Sequence, residues 1–239
     1  MVFAHPCLSE AFNKLVAGIW EYGSMKLIAI NVGVPREVLW KGETVTTSIF
    51  KSPVDGPVAL RRHNLAGDQQ ADLSVHGGPT KAVYVYPSEH YEFWKRELPD
   101  VELPWGSFGE NFTVTGLDEN GVCVGDEFRV GTARVVVTEP RMPCVKLAIR
   151  FGRPDMLKRF LKSQRTGFYF GVVEEGSVQA GDKLEPLSKH PDRLAVSDVT
   201  RLYTTERSNA DLLRKAIAVS ALPEGWSNYF AHQLEKLEP

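Results

Sequence analysis

Glu127-Phe-Arg-Val-Gly-Thr-Ala-Arg-Val-Val-Val-Thr138 holds two β-type runs separated by Gly131-Thr132. β-Branched residues crowd Ala133–Thr138, and a glycine-containing break before it marks a strand–turn–strand. Working outward, similar short apolar runs recur at Leu27–Val34, Thr44–Phe50, Val54–Leu60, Ala82–Tyr86, Asn111–Val114, Phe168–Val173 and Lys183–Leu187. Gly116-Leu-Asp, Gly125-Asp126 and Gly181-Asp182 supply further turn chemistry between them. Many short strands with irregular connections predict a mainly β domain, barrel or sandwich, rather than a doubly wound sheet.

Two helices are expected to interrupt the strands. Ser88 can cap one that carries Tyr91, Trp94 and Leu98 on a single face and stops before Pro99. A second runs from Pro154 to about Gln164, with proline suited to the first turn. Beyond Pro191 strand-like runs cease, and three short helices are expected at about 197–204, 209–220 and 224–237, with Asn209 and Ser227 as caps. The resulting division is an extension at 1–24, a β domain at 25–190 and a helical domain at 191–239. So short a helical segment is near the lower limit for independent folding, so it should lean on the β domain, which is expected to fold without it.

Of the 239 residues, 43% are hydrophobic and 24% charged, values that exclude whole-chain disorder. A net charge of −2 provides no basic field for sequence-independent nucleic-acid binding. Three cysteines, an odd and small number, exclude a disulfide scaffold and point to a reducing, cytoplasmic compartment. The apolar run Leu15–Trp20 is far shorter than the roughly 20 residues of a spanning helix. Residues 1–24 lack the basic start of a signal peptide and are expected to be an amphipathic or disordered extension, with an upstream start codon as one origin.

Four segments can carry chemistry. Cys144 follows a strand end on a proline-stiffened loop, Glu139-Pro-Arg-Met-Pro-Cys-Val-Lys, with Arg141 and Lys146 beside it. Nearby cations favour the thiolate, the form that attacks and ligates metal, although a buried structural cysteine fits the same residues. Cys123, inside Val122-Cys-Val, is a core residue, and Cys7 lies in the extension. In His76-Gly77-Gly78-Pro-Thr80-Lys81, two glycines permit close backbone approach and Thr80 and Lys81 can hold an anion; a tight turn with an exposed lysine is the alternative. Glu110 and Asn111 pair an acceptor with an amide that both donates and accepts, suited to a pterin or purine edge, or equally to a capped turn. The acidic loop Leu65–Asp72, preceded by Arg61-Arg62-His63, reads better as a solvated loop than as a cation site. No His-Glu-x-x-His, Cys-x-x-Cys, Gly-x-Ser-x-Gly or Gly-x-Gly-x-x-Gly pattern occurs.

Taken in order, His76-Gly-Gly-Pro-Thr-Lys-Ala-Val, Phe108-Gly-Glu-Asn, Gly125-Asp and Pro140-Arg-Met-Pro-Cys144 resemble the MOSC domain, the C-terminal domain type of molybdenum-cofactor sulfurases. Ala195-Val-Ser-Asp-Val-Thr and Leu222-Pro-Glu-Gly-Trp resemble the three-helix domain appended in the YiiM-like branch. The resemblance implies a closed or partly closed MOSC-type β-barrel with a few helices and a small C-terminal three-helix domain. It implies molybdenum cofactor (molybdopterin) binding, with Cys144 as catalytic residue and metal ligand. His76, Gly77, Gly78, Thr80, Lys81, Glu110, Asn111 and Arg141 would then contact the cofactor. The implied activity is reduction of N-hydroxylated compounds of the hydroxylaminopurine or amidoxime type, a detoxification of base analogues. Electrons would come from a separate reductase, expected to be a flavoprotein; no nucleic-acid or membrane partner is expected. The alternative is a cofactor or sulfur carrier, with Cys144 as a persulfide and no turnover.

Overall fold

The computed structural model describes residues 25–71 and 77–238. The expected extension at 1–24, with Cys7, and the candidate His76 lie outside the described residues. In chain order the elements are β1 (Lys26–Val32), β2 (Arg36–Trp40), β3 (Glu43–Thr47), β4 (Ser52–Val54), β5 (Val58–Leu60), β6 (Val83–Pro87), α1 (Glu89–Glu97), β7 (Phe112–Thr115), β8 (Glu127–Val130) and β9 (Ala133–Pro140). They continue with α2 (Val145–Phe151), α3 (Met156–Ser163), β10 (Phe168–Glu174), β11 (Gly176–Val178), β12 (Leu184–Ser188), α4 (Val196–Thr204), α5 (Ala210–Ala218) and α6 (Glu224–Glu235).

The β8–β9 hairpin forms about the Gly131-Thr132 turn, with Val130 opposite Ala133. It seeds an eight-stranded sheet in the order β12-β8-β9-β10-β6-β7-β1-β4. Neighbours are antiparallel except for the parallel β6–β7 pair. Of the closed or partly closed barrel expected, a closed ladder does not form among the described residues. The isolated bridge Lys26↔Lys183, with Leu27 N–H to Asp182 O at 2.9 Å, Gly181 N–H to Leu27 O at 2.7 Å and Leu184 N–H to Met25 O at 3.0 Å, brings the start of β12 beside β1. The chain turns at Gln179–Asp182 just before that point, with Asp182 N–H donating to Gln179 O at 3.1 Å.

β6 shows how the sheet divides the interior. Side chains alternate across a strand, so Val83 and Val85 enter one core and Tyr84 and Tyr86 the other. The first core is aliphatic, built on Leu27, Ile30, Val135, Phe168 and Phe170. The second is aromatic: Tyr86 stacks on Phe108 at 4.6 Å between centroids, and Trp94 on Phe160 at 6.0 Å. At about 25 cal/mol per Å2 and 150–250 Å2 per ring, each such side chain contributes several kcal/mol of burial.

The terminal helices α4–α6 pack on one another through Leu202, Leu213, Ala216 and Phe230. They also penetrate the β domain. Val196 of α4 belongs to the aliphatic core, Val124 to the helical one, and Val124 N–H to Leu194 O (2.9 Å) and Val196 N–H to Val122 O (3.1 Å) tie the backbones together. Asn209 caps α5 by accepting Leu212 N–H at 3.1 Å, whereas Ser227 lies inside α6.

Candidate active site

β9 ends at Pro140, and Arg141-Met142-Pro143 carries the chain to Cys144, which caps the N-terminus of α2 in an extended conformation (φ −123°, ψ 176°). The proline before it cannot continue a ladder and biases Met142 toward extended backbone, so the strand stops and the helix starts at the cysteine. The half-buried Cys144 lines a cleft together with Lys51, Asp68, Lys81, Tyr84, Asn111, Arg141, Lys146 and Tyr169. Its cavity is about 100 Å3. Ligand pockets usually span about 300–1,000 Å3, so a large ligand would extend into the open mouth.

Lys81 reaches the cleft from a single 3-10 turn, Pro79–Lys81, entered through Gly78 at φ 98°. This positive φ favours glycine. Two contacts fix the turn. Thr138 Oγ1 donates to Thr80 O at 2.6 Å, and Gly171 leaves room for Pro79 O, which would lie 2.9 Å from a Cβ there. Gly77, Gly78 and Thr80 do not line the cleft, while Lys81 does.

Among the described residues lining the cleft, four are cations, Lys51, Lys81, Arg141 and Lys146, against one carboxylate, Asp68. Arg141 is 5% exposed, its guanidinium 5.2 Å from the Tyr84 ring and 5.1 Å from that of Phe160. Burial works against its charge, but Tyr84, Tyr169 and Cys144 hold its pKa above the usual value. Its Nη1 is buried with no hydrogen-bond partner. Tyr169 is pushed up to about 12 by burial, with Arg141 opposing, and is a neutral phenol at neutral pH.

The second wall was not legible in the sequence. Lys51 forms a buried ion pair with Asp68. Asp68 also accepts Gly33 N–H at 2.8 Å and Asn111 Nδ2 at 2.9 Å. Burial pulls the Lys51 ammonium below the ordinary lysine value, and Asp68 pulls the other way. The loop read as solvated thus delivers a buried carboxylate, assembled from partners distant in the chain. Asn111 lines the cleft with its amide committed: Oδ1 accepts Tyr84 N–H at 3.1 Å, and Nδ2 also donates to Asn31 O at 3.2 Å.

Glu110 is not in the cleft. It is fully buried and accepts from Tyr91 Oη, Gly106 N–H (2.8 Å), Phe108 N–H (3.0 Å) and Thr113 Oγ1 (3.0 Å). It braces its own loop. Cys123 is 4% exposed, and burial raises its thiol to about 11. Arg61 and Arg62 are at the surface with Glu175. Among the described residues no group of three His, Cys, Asp or Glu could hold a metal ion.

Family models match the sequence in two pieces: the MOSC domain at residues 72–185 and the YiiM-like 3-alpha helix domain at 195–237. The crystal structure of YiiM from Geobacillus stearothermophilus is 34% identical, with a TM-score of 0.74 over 88% of this chain and 99% of that one. The chain belongs to the YiiM-like branch of the MOSC-domain proteins. YflK of Bacillus subtilis (strain 168) is 42% identical over 89% of this chain and 96% of its own length. A Gibberella moniliformis protein named "Reductase" is 34% identical over 78% of this chain, which spans only 34% of that longer protein.

Proposed function

We propose that this YiiM-like protein binds the molybdenum cofactor and reduces N-hydroxylated compounds of the hydroxylaminopurine or amidoxime type. The observation that carries the reading is the placement of Cys144 in a cleft walled by Lys51, Lys81, Arg141 and Lys146. MOSC domains are associated with this cofactor, and the residues present fit it: a soft sulfur for the metal, cations for a phosphate, and a buried guanidinium N–H of Arg141 with no protein partner. When bound, the cofactor supplies the two-electron redox chemistry that side chains lack.

The protein's own residues supply the rest. Cys144, as thiolate, would hold the metal from a rigid strand-to-helix corner. Lys81 and Arg141 would hold the anionic part, with Lys51 and Lys146 adding to the field. Tyr84 is committed to Thr166 O at 2.8 Å, so its ring serves as a wall rather than a donor. The overall reaction, R–NHOH + 2 e− + 2 H+ → R–NH2 + H2O, needs two external electrons. They fit a separate flavoprotein reductase, and the longer relative named a reductase supports a redox setting. No helix among the described residues is long and apolar enough to cross a membrane.

The test is turnover of an amidoxime or a hydroxylaminopurine by cofactor-loaded protein with an artificial reductant, for wild type and Cys144→Ser. Wild type should turn over. The serine variant should be inactive with an unchanged melting temperature, because a hydroxyl replaces a soft thiolate poorly. Cofactor-loaded wild type without turnover supports the carrier reading, and an active Cys144→Ser overturns the role of the thiol.

A further inference from the structure

Two guanidiniums from different elements meet on one ring at the rim of the cleft. Arg36 opens β2 and pairs with Thr47 of β3, which lines the cleft. Its Cζ lies 3.4 Å from the centroid of Phe50, the residue between the cleft-lining Ile49 and Lys51. Arg150 belongs to α2, at position i+4 from Lys146, which also lines the cleft. Such positions share a helix face about one turn, or 5.4 Å, apart. Arg150 Cζ lies 5.5 Å from the same Phe50 centroid and 5.8 Å from that of Phe151.

Neither cation is neutralised: among the described residues, neither Arg36 nor Arg150 forms an ion pair with a carboxylate. Arg150 Nη2 donates one long hydrogen bond, to Ser107 Oγ at 3.4 Å, and its Nε is buried with no partner. Burial lowers the Arg150 pKa, Tyr91 and Glu110 oppose, and Arg36 adds to the lowering, as a like charge close by does. The Phe50 face attracts both cations but supplies no counter-charge.

We infer that Arg36 and Arg150 form a phosphate subsite at the cleft mouth, which holds the phosphate monoester of a nucleotide whose base enters the cleft. This rests on the reading of the cleft as a site for hydroxylaminopurine-type compounds and narrows it from free bases to nucleotides. A phosphate monoester carries a charge of about −1.5 to −2 at neutral pH and three acceptor oxygens, which suits two guanidinium forks. The turn of helix between Lys146 and Arg150 is comparable with the span of a sugar between base and phosphate. The cavity, about 100 Å3, is small for a whole nucleotide, which puts the phosphate in the mouth.

The test is titration of the full-length protein, as purified from a host that makes the cofactor, with adenosine monophosphate and with adenosine. Wild type, Arg36→Gln, Arg150→Gln and the double variant are compared, with melting temperatures beside them. Wild type should bind the monophosphate at least about 10-fold more tightly than adenosine, the worth of one charge-assisted contact. Each single variant should lose most of that preference and the double variant all of it. Arg36 is exposed, so Arg36→Gln tests the subsite even if Arg150→Gln is unstable. Equal affinity for the two probes in wild type, or a preference kept in the double variant, overturns the inference. Molybdenum per chain separates the two sources of phosphate: a fall in the variants with the monophosphate preference intact would give the pair to the cofactor and overturn the substrate assignment. If the preference depends on both arginines but no N-hydroxylated compound is turned over, the reductase reading fails and the phosphate subsite stands.

Discussion

The loop Trp105–Asn111 and the corner Arg141–Lys146 both place charged groups in the interior, but they use them in opposite ways. Glu110 has four donors from its own surroundings filling its oxygens. Arg141, as deeply buried, leaves Nη1 without a partner and lines the cleft beside Cys144 and Lys146. A buried charge whose hydrogen-bonding capacity is spent locally is a brace; one whose capacity is left open beside a cavity is available to a ligand. By that criterion the Arg141 corner is the side open to a ligand, and the Glu110 loop is its scaffold.

Removing the brace should have the largest effect. Glu110→Ala strands several buried donors at about 1–3 kcal/mol each, so unfolding stability should fall by about 3 kcal/mol or more, read by denaturant titration. A stable variant with impaired ligand binding would place Glu110 in the site after all. Burial raises the Glu110 pKa, with its donors opposing. Its contribution is therefore full below the unfolded value and declines as pH rises toward the folded one, at no more than about 1.4 kcal/mol per pH unit. Glu110→Gln should flatten that slope.

On the opposite side, Lys81→Ala should weaken cofactor affinity by about 10- to 100-fold, read as less molybdenum per chain, while leaving the rate per bound molybdenum unchanged. Lys81→Arg should recover only part of the loss, since a planar guanidinium is not a compact ammonium. Unchanged occupancy in Lys81→Ala would remove the residue from the site. The smallest effect is expected at Cys123→Ser: a loss of about 1–2 kcal/mol of stability for a buried polar substitution, with turnover retained. Loss of activity at full stability would move the functional thiol from Cys144 to Cys123.

Local pattern made the hairpin legible: Glu127–Val130 matches β8, and Ala133–Thr138 matches β9 apart from its last two residues. Val54–Leu60, read as one run, is split into β4 and β5 around Gly56, whose φ of 76° breaks a strand. β2 escaped because Arg36–Trp40 is mostly exposed and carries no apolar alternation, and α2 because its seven residues are too few for a helical period to show. Arg141, Cys144 and Lys81 could be found because each sits beside glycine or proline punctuation. Lys51 and Asp68 could not: their pairing and the Gly33 and Asn111 contacts depend on which strands lie side by side. Val196 in the sheet core and the Trp226–Glu139 bond show the helical segment leaning on the β domain, as its shortness led one to expect.

The central claim is that the cleft holds the molybdenum cofactor through Cys144. The most direct measurement is the molybdenum and pterin content of the full-length protein, wild type and Cys144→Ser, purified from a host that makes the cofactor. Wild-type protein should carry close to one molybdenum and one pterin per chain, and Cys144→Ser should show a marked loss of molybdenum. Wild-type protein free of both, or a serine variant with undiminished molybdenum, would contradict it.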